Sequence, residues 1–180
     1  STKPLSDDLR RKISLFTNVE EDGVISGYDT TTIYEVPLVF YNQKLDTFLL
    51  RKMNIESRHA ELDKWEAVVQ AVSKPSRKVK IAVVGKYMDL HDSYKSIWEA
   101  LCHGGIAHHT ALELEKLESS RLEDPKADLA SVFKDIHGIL VPGGFGERGI
   151  EGMIRAARYA REHDIPYLGI CLGMQIMVIE

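Results

Sequence analysis

The chain has 180 residues, of which 44% are hydrophobic and 28% charged, with a formal net charge of −4 and two cysteines. That balance excludes a disordered tract, which lacks the apolar residues for a core, and an electrostatic nucleic-acid binder, which needs a basic surplus. No apolar run reaches the ~20 residues of a membrane span, residues 1–11 are too polar for a signal peptide, and two distant cysteines make no disulfide framework, so a cytoplasmic protein with neither membrane nor nucleic-acid partners is expected.

In chain order, Ser6 is a candidate N-cap, and Leu9, Ile13 and Phe16 follow at helical spacing, which predicts a helix over 7–16. Arg10, Arg11 and Lys12 adjoin on it; such a triplet either meets an anion such as a nucleotide phosphate or is a solvated face. Residues 23–26 read as a short strand, Asp29 and the threonines after it as a turn and helix start, and Pro37 as an interruption of the next helical stretch. Leu45, Leu49 and Met53, spaced by four, predict another short helix. Residues 54–59 are polar and read as a boundary. A helix with Leu62, Trp65, Val68, Val69 and Val72 on one face follows, and Ser73-Lys74-Pro75-Ser76-Arg77-Lys78 has the proline, serine and charge of a linker. The expected organisation is therefore a first domain over 1–58, an interdomain stretch over 59–77 and a second domain over 78–180.

From residue 79 the pattern alternates. Strands are predicted over 79–85, 110–117, 138–141 and 166–170, and helices over 93–103, 129–136, 150–163 and from 174 onward. Strands separated by helices argue for an α/β fold, a parallel sheet with helices on both faces. Sites in such sheets form at the carboxyl ends of the strands, where Gly85, the 142–149 loop and Cys171 fall.

The last of these stretches organises the reading. Gly169-Ile170-Cys171-Leu172-Gly173 has the layout of a nucleophile elbow, G-x-S-x-G with cysteine for serine. A nucleophile on so tight a strand-to-helix turn leaves no room for side chains beside it, hence the glycine pair. The positive end of the following helix favours a thiolate. The competing reading is a buried structural cysteine at a strand end. Cys102, in a helical stretch with no glycine pair, reads as structural. The second stretch, Pro142-Gly143-Gly144-Phe145-Gly146-Glu147-Arg148-Gly149, follows an apolar run and exposes backbone N–H groups able to hold a phosphate or an oxyanion; an ordinary loop is the alternative. It is not a Walker loop, because no Lys-Ser/Thr pair closes it. His103, His108 and His109 lack cysteine or carboxylate partners at ligand spacing, so no metal site is expected.

Residues 169–175 together with 142–149 resemble the class I glutamine amidotransferases, the triad glutaminases. Val84-Gly85-Lys86-Tyr87 and Asp92-Ser93-Tyr94-Lys95-Ser96 narrow the resemblance to the CTP synthase family within that class. The front agrees: Arg11-Lys12-Ile13-Ser14-Leu15-Phe16, Val24-Ile25-Ser26 and Thr32-Ile33-Tyr34-Glu35-Val36-Pro37 resemble the end of that family's synthetase (amidoligase) domain, a P-loop-type α/β domain. The resemblance implies a flavodoxin-like glutaminase fold for the second domain, with Cys171 as nucleophile, and Gly144, Leu172, Gly173, Met174 and Gln175 binding L-glutamine and supplying oxyanion donors. It implies that Lys12 contacts the uridine or cytidine nucleotide and that Tyr28, Asp29 and Thr30 lie at the ATP site. Substrates would be glutamine, UTP and ATP, with Mg2+ and most of the ATP held by residues outside this chain, GTP as an activator near 145–152, and a homotetramer as the full-length assembly. A triad needs a histidine and a carboxylate as well. The family carries them after the nucleophile, and no histidine follows Cys171 here. The chain also starts without methionine and stops at Glu180 inside a helical pattern, so a piece of a longer protein, inactive alone, is expected. Another class I amidotransferase, a cysteine peptidase-like relative, or a non-catalytic assembly or regulatory module on the same fold are the alternatives.

Overall fold

The computed structural model describes residues 2–56, 60–90 and 92–180. The chain divides into two compact units, Ser1–Lys74 and Pro75–Glu180. The division falls within the Ser73–Lys78 break, whereas the expected boundary after residue 58 lies outside the described residues.

The first unit holds four helices among the described residues: α1 (Asp7–Thr17), α2 (Val36–Asn42), α3 (Leu45–Lys52) and α4 (Asp63–Ser73). Ser6 caps α1, its hydroxyl accepting from the Leu9 N–H at 3.4 Å, and Asn18 ends the helix in the left-handed region at φ 55. The strand expected over 23–26 does not form. A 3-10 turn occupies Glu21–Gly23, and the extended residues that follow have no neighbouring strand among the described residues. The Gln43 carboxamide takes that place: Ser26 N–H donates to Gln43 Oε1 (2.7 Å) and Gln43 Nε2 donates to Ser26 O (3.0 Å). Val24 and Ser26 are buried. Pro37 does not interrupt a helix either. It lies in the first turn of α2, where its missing N–H has no intrahelical acceptor to lose. α4 packs within the first unit, with Trp65 Nε1 donating to the Tyr34 carbonyl at 2.7 Å.

The second unit is the α/β part. Its elements are β1 (Arg77–Gly85), α5 (Lys95–Ala107), β2 (Thr110–Glu118), α6 (Leu129–Val132), β3 (Gly138–Val141), α7 (Ile150–Glu162), β4 (Tyr167–Gly169) and α8 (Leu172–Ile179). The sheet order is β2-β1-β3-β4 and every pairing is parallel. In register, Ala82 pairs with Ile139 and Ile139 with Tyr167. Alternation puts Ala82, Val84, Ile139 and Val141 on one face, where they form the core with Met153, Ala156, Ala157 and Ala160 of α7 and Ile176 of α8. The alanines of α7 let that helix lie close to the strands. Leu101 of α5 borders Ile81, Leu140 and Leu168 on the opposite face.

α8 begins at Leu172, two residues before the expected start, and two other helices differ more. α5 starts later than predicted and runs on to Ala107, through Gly104 and Gly105. Gly105 belongs there because a Cβ at that position would stand 2.7 Å from the Thr110 carbonyl oxygen of β2. The helix expected over 129–136 is a single turn, capped by Asp128, and Asp135 at φ 60 ends the helical path. Phe133 and Ile136 are buried all the same.

Candidate active site

The carboxyl edge of the sheet gathers three segments of the second unit. β4 ends at Gly169, Ile170 N–H donates to the Val141 carbonyl at 2.9 Å, and α8 begins at Leu172. Cys171 stands between them, exposed, at φ 52 and ψ −104. A non-glycine residue there is strained by about 1–3 kcal/mol and persists only where its surroundings fix it. The glycines show how they do so. A Cβ on Gly169 would sit 2.4 Å from the Gly173 carbonyl, and a Cβ on Gly173 would sit 2.0 Å from the Val141 oxygen. Strand, elbow and helix therefore nest backbone against backbone, and only glycine fits at either position.

The glycine loop lies beside the sulfur-bearing residue. A Cβ on Gly143 would be 3.5 Å from the Cys171 Cβ, while one on Gly144 would meet Leu172 Cδ2 and Lys86 Cδ, each at 3.4 Å. The helix contributes donors. Gly173 N–H donates to Ile170 O (2.9 Å) and Gln175 N–H to Cys171 O (3.1 Å). Among the described residues, the first-turn N–H groups of Leu172 and Met174 have no backbone acceptor. The arrangement can therefore present a thiol to a planar carbonyl group between a glycine-loop N–H and the N–H of the residue after the nucleophile, which is the oxyanion geometry of an elbow.

Lys86, to which sequence reasoning gave no role, lies beneath this loop. It is 2% exposed and directly follows β1. Its ammonium donates to the carbonyls of Phe145 (3.2 Å) and Gly146. Burial, and then the Arg148 charge, push its pKa below the ordinary lysine value. Arg148 in turn donates to the Lys86 carbonyl and pairs with Glu118 at 2.5 Å, and Glu118 accepts from Met88 N–H at 3.2 Å. Lys86 N–H donates to the Tyr94 hydroxyl at 3.2 Å. This lattice holds loop 142–149 against the ends of β1 and β2. In sequence it stands only within the Val84-Gly85-Lys86-Tyr87 resemblance, and nothing in the spacing shows that the ammonium is buried.

The other expected residues lie apart. Lys12 is exposed on α1, and Arg11 beside it faces Asp8 (3.8 Å) and Glu21 (4.0 Å). Tyr28, Asp29 and Thr30 lie in the irregular stretch after Ser26, with Thr30 Oγ1 donating to the Thr32 carbonyl at 2.9 Å. All four belong to the first unit. Cys102, read as a structural residue, is exposed on α5; its thiol is pushed up by partial desolvation and then by Glu99. His137 sits at the amino edge of the sheet, its Nδ1 accepting from Lys80 N–H at 3.2 Å, and His163 stacks on Tyr159 at the far end of α7. Neither reaches Cys171.

Comparison with known proteins agrees with this geometry. Residues 89–180 match the family described as "Glutamine amidotransferase class-I", and residues 1–55 match "CTP synthase N-terminus". The chain is 48% identical over 178 residues to a CTP synthase of Lawsonia intracellularis (strain PHE/MN1-00), covering 99% of this chain and 32% of the relative. It thus spans about a third of that relative's length. Among solved structures it is similar to the glutaminase domain of Trypanosoma brucei CTPS with bound acivicin, at 46% identity and a TM-score of 0.53, covering 56% of this chain and 39% of that one.

Proposed function

The chain belongs to the glutamine amidotransferase class-I family and is homologous to CTP synthase along nearly all its length, and on that premise we propose that Cys171 is the nucleophile that releases ammonia from glutamine for the amination of UTP. The observation that carries the reading is the strained, exposed Cys171 held 3.5 Å from the position of a Gly143 Cβ. The Cys171 sulfur attacks the carboxamide carbon of glutamine, and the tetrahedral oxyanion is held by the N–H groups of Leu172 and Gly144. Such a donor contributes ~3 kcal/mol. Collapse expels ammonia, which takes the proton shuttled from the thiol, and leaves a glutamyl thioester. Water then hydrolyses the thioester to glutamate and restores the thiol. Gly173, Met174 and Gln175 complete the turn that binds glutamine and supplies N–H donors to the oxyanion.

The proton shuttle would be a histidine–carboxylate pair; His137 and His163 face away from Cys171, and the family resemblance assigns the pair to residues beyond this chain. In the whole protein ATP phosphorylates O4 of UTP, ammonia displaces the phosphate, and CTP, ADP and phosphate result. Residues 1–58 contribute to the synthetase domain, with Lys12 at the pyrimidine nucleotide and Tyr28, Asp29 and Thr30 at ATP; 59–77 join it to the glutaminase domain, 78–180. The described residues gather no group of three or more His, Cys, Asp and Glu able to hold a metal ion. Mg2+ would accompany ATP, both held mainly by residues outside this chain. GTP activation near 145–152, a homotetramer and a cytoplasmic location complete the proposal; among the described residues no helix is long and apolar enough to cross a membrane.

The test uses the full-length protein. Cys171→Ala is expected to lower glutamine-dependent amination about a thousandfold or more while amination from added ammonia persists. Glutamine-dependent turnover within tenfold of the parent would refute the assignment.

A further inference from the structure

We infer that Tyr167 is a positioning residue for the Cys171 elbow: its hydroxyl grips the Gly173 carbonyl and thereby sets the helix turn that receives the substrate. The inference rests on the glutaminase reading above. Tyr167 is the first residue of β4, its ring packs against the core, and its hydroxyl donates to Gly173 O at 2.9 Å. The Gly173 carbonyl is the group that Gly169, two residues further along the same strand face, makes room for, a Cβ there standing 2.4 Å away. One strand face thus holds the first turn of α8 with one side chain supplied and one withheld. Burial pushes the Tyr167 hydroxyl up to about 12, so it stays a donor at any working pH.

The consequence reaches the reacting atoms through one peptide unit. The carbonyl that Tyr167 grips belongs to the same peptide plane as the Met174 N–H, because the unit is rigid. A carbonyl that accepts an added hydrogen bond polarises the N–H at the other end of its peptide. Met174 N–H has no backbone acceptor among the described residues, and a Cβ on Gly169 would stand 2.6 Å from its nitrogen, so it is a first-turn donor of α8 held against the strand that carries Tyr167. Tyr167 therefore aims and strengthens a donor at the edge of the glutamine site without touching the substrate.

The experiment is Tyr167→Phe in the full-length protein, which keeps the ring and removes the hydroxyl. The kcat for glutamine hydrolysis is expected to fall about tenfold, the effect of one hydrogen bond felt mainly in the transition state. KM for glutamine stays within twofold, amination from added ammonia is unchanged, and alkylation of Cys171 by 6-diazo-5-oxonorleucine slows by the same factor as kcat. Unchanged kcat and unchanged labelling would overturn the inference, as would an equal loss of ammonia-supported amination, which would mean a general folding role. If the parent protein itself is not labelled at Cys171, the glutaminase reading fails and this inference with it. Should the phenylalanine variant not fold, a ring-fluorinated tyrosine at position 167 is a stronger donor and is expected to speed labelling; an unaltered rate would overturn the inference.

Discussion

The two compact units close their main-chain hydrogen bonds in different ways. In Pro75–Glu180 the central strands pair with one another, and Ala82, Val83, Val84 and Val141 are wholly buried. Among the described residues of Ser1–Lys74 the buried hydrophobics are Val24, Val69 and Ala71, and the stretch through Ser26 is closed by one glutamine side chain. A ladder shares its load over many bonds, whereas a carboxamide clasp concentrates it in two. The second unit is therefore expected to open only globally, and the first to open locally around Gln43.

Perturbing each unit sharpens that contrast. The largest effect is expected from Gly173→Ala, whose new Cβ would fall 2.0 Å from the Val141 oxygen. The backbone there cannot yield without breaking the elbow, so destabilisation of about 3 kcal/mol or more is expected in the second unit. Hydrogen exchange read separately over the two units checks this: exchange should quicken across β1, β3 and β4 and not across α1. Gln43→Ala is expected to do the reverse. It leaves the Ser26 N–H and carbonyl without their described partner, costs about 1–3 kcal/mol, and should quicken exchange at Ser26 while β1 stays protected.

A smaller effect depends on pH. The Tyr167 hydroxyl has its folded pKa raised by burial to about 12, above its ordinary value of 10.0. A raised folded pKa means that the contribution to stability is complete below pH ~10 and is lost as pH rises through ~12. Phenolate absorbance of the parent minus that of Tyr167→Phe should show this tyrosine titrating near the upper value; titration near 10 would place it in water. The smallest effect, and of opposite sign, is expected from Gly104→Ala. Nothing lies within 4 Å of a Cβ there and the residue is inside α5, so a gain of about 0.5–1 kcal/mol should appear as a higher urea midpoint.

What could be read without coordinates follows the same division. β3 occupies Gly138–Val141 as the apolar run predicts, because a short fully buried strand leaves no polar residue to blur its ends. The elbow was legible because its steric demand is written in residue types: cysteine between glycines, strand before, helix after. The 23–26 stretch misled because Val24 is buried and Ile25 half-buried, as in a strand, but the partner of Ser26 is a side chain 17 residues further on. Pro37 misled because the same residue breaks a helix interior and suits a helix start, and only the position of the first turn decides. Lys86 and Tyr167 were invisible as site residues. What each does depends on a carbonyl brought near by folding, the Gly146 oxygen for one and the Gly173 oxygen for the other, and no spacing rule encodes either.

The central claim is that backbone geometry, not mere exposure, makes Cys171 the reactive thiol, since Cys102 is exposed as well. The direct measurement is mass-spectrometric mapping of the full-length protein after brief treatment with 6-diazo-5-oxonorleucine. A single adduct on Cys171, suppressed by excess glutamine, is predicted. An adduct that forms as readily on Cys102, or one on Cys171 that glutamine does not suppress, would contradict the account.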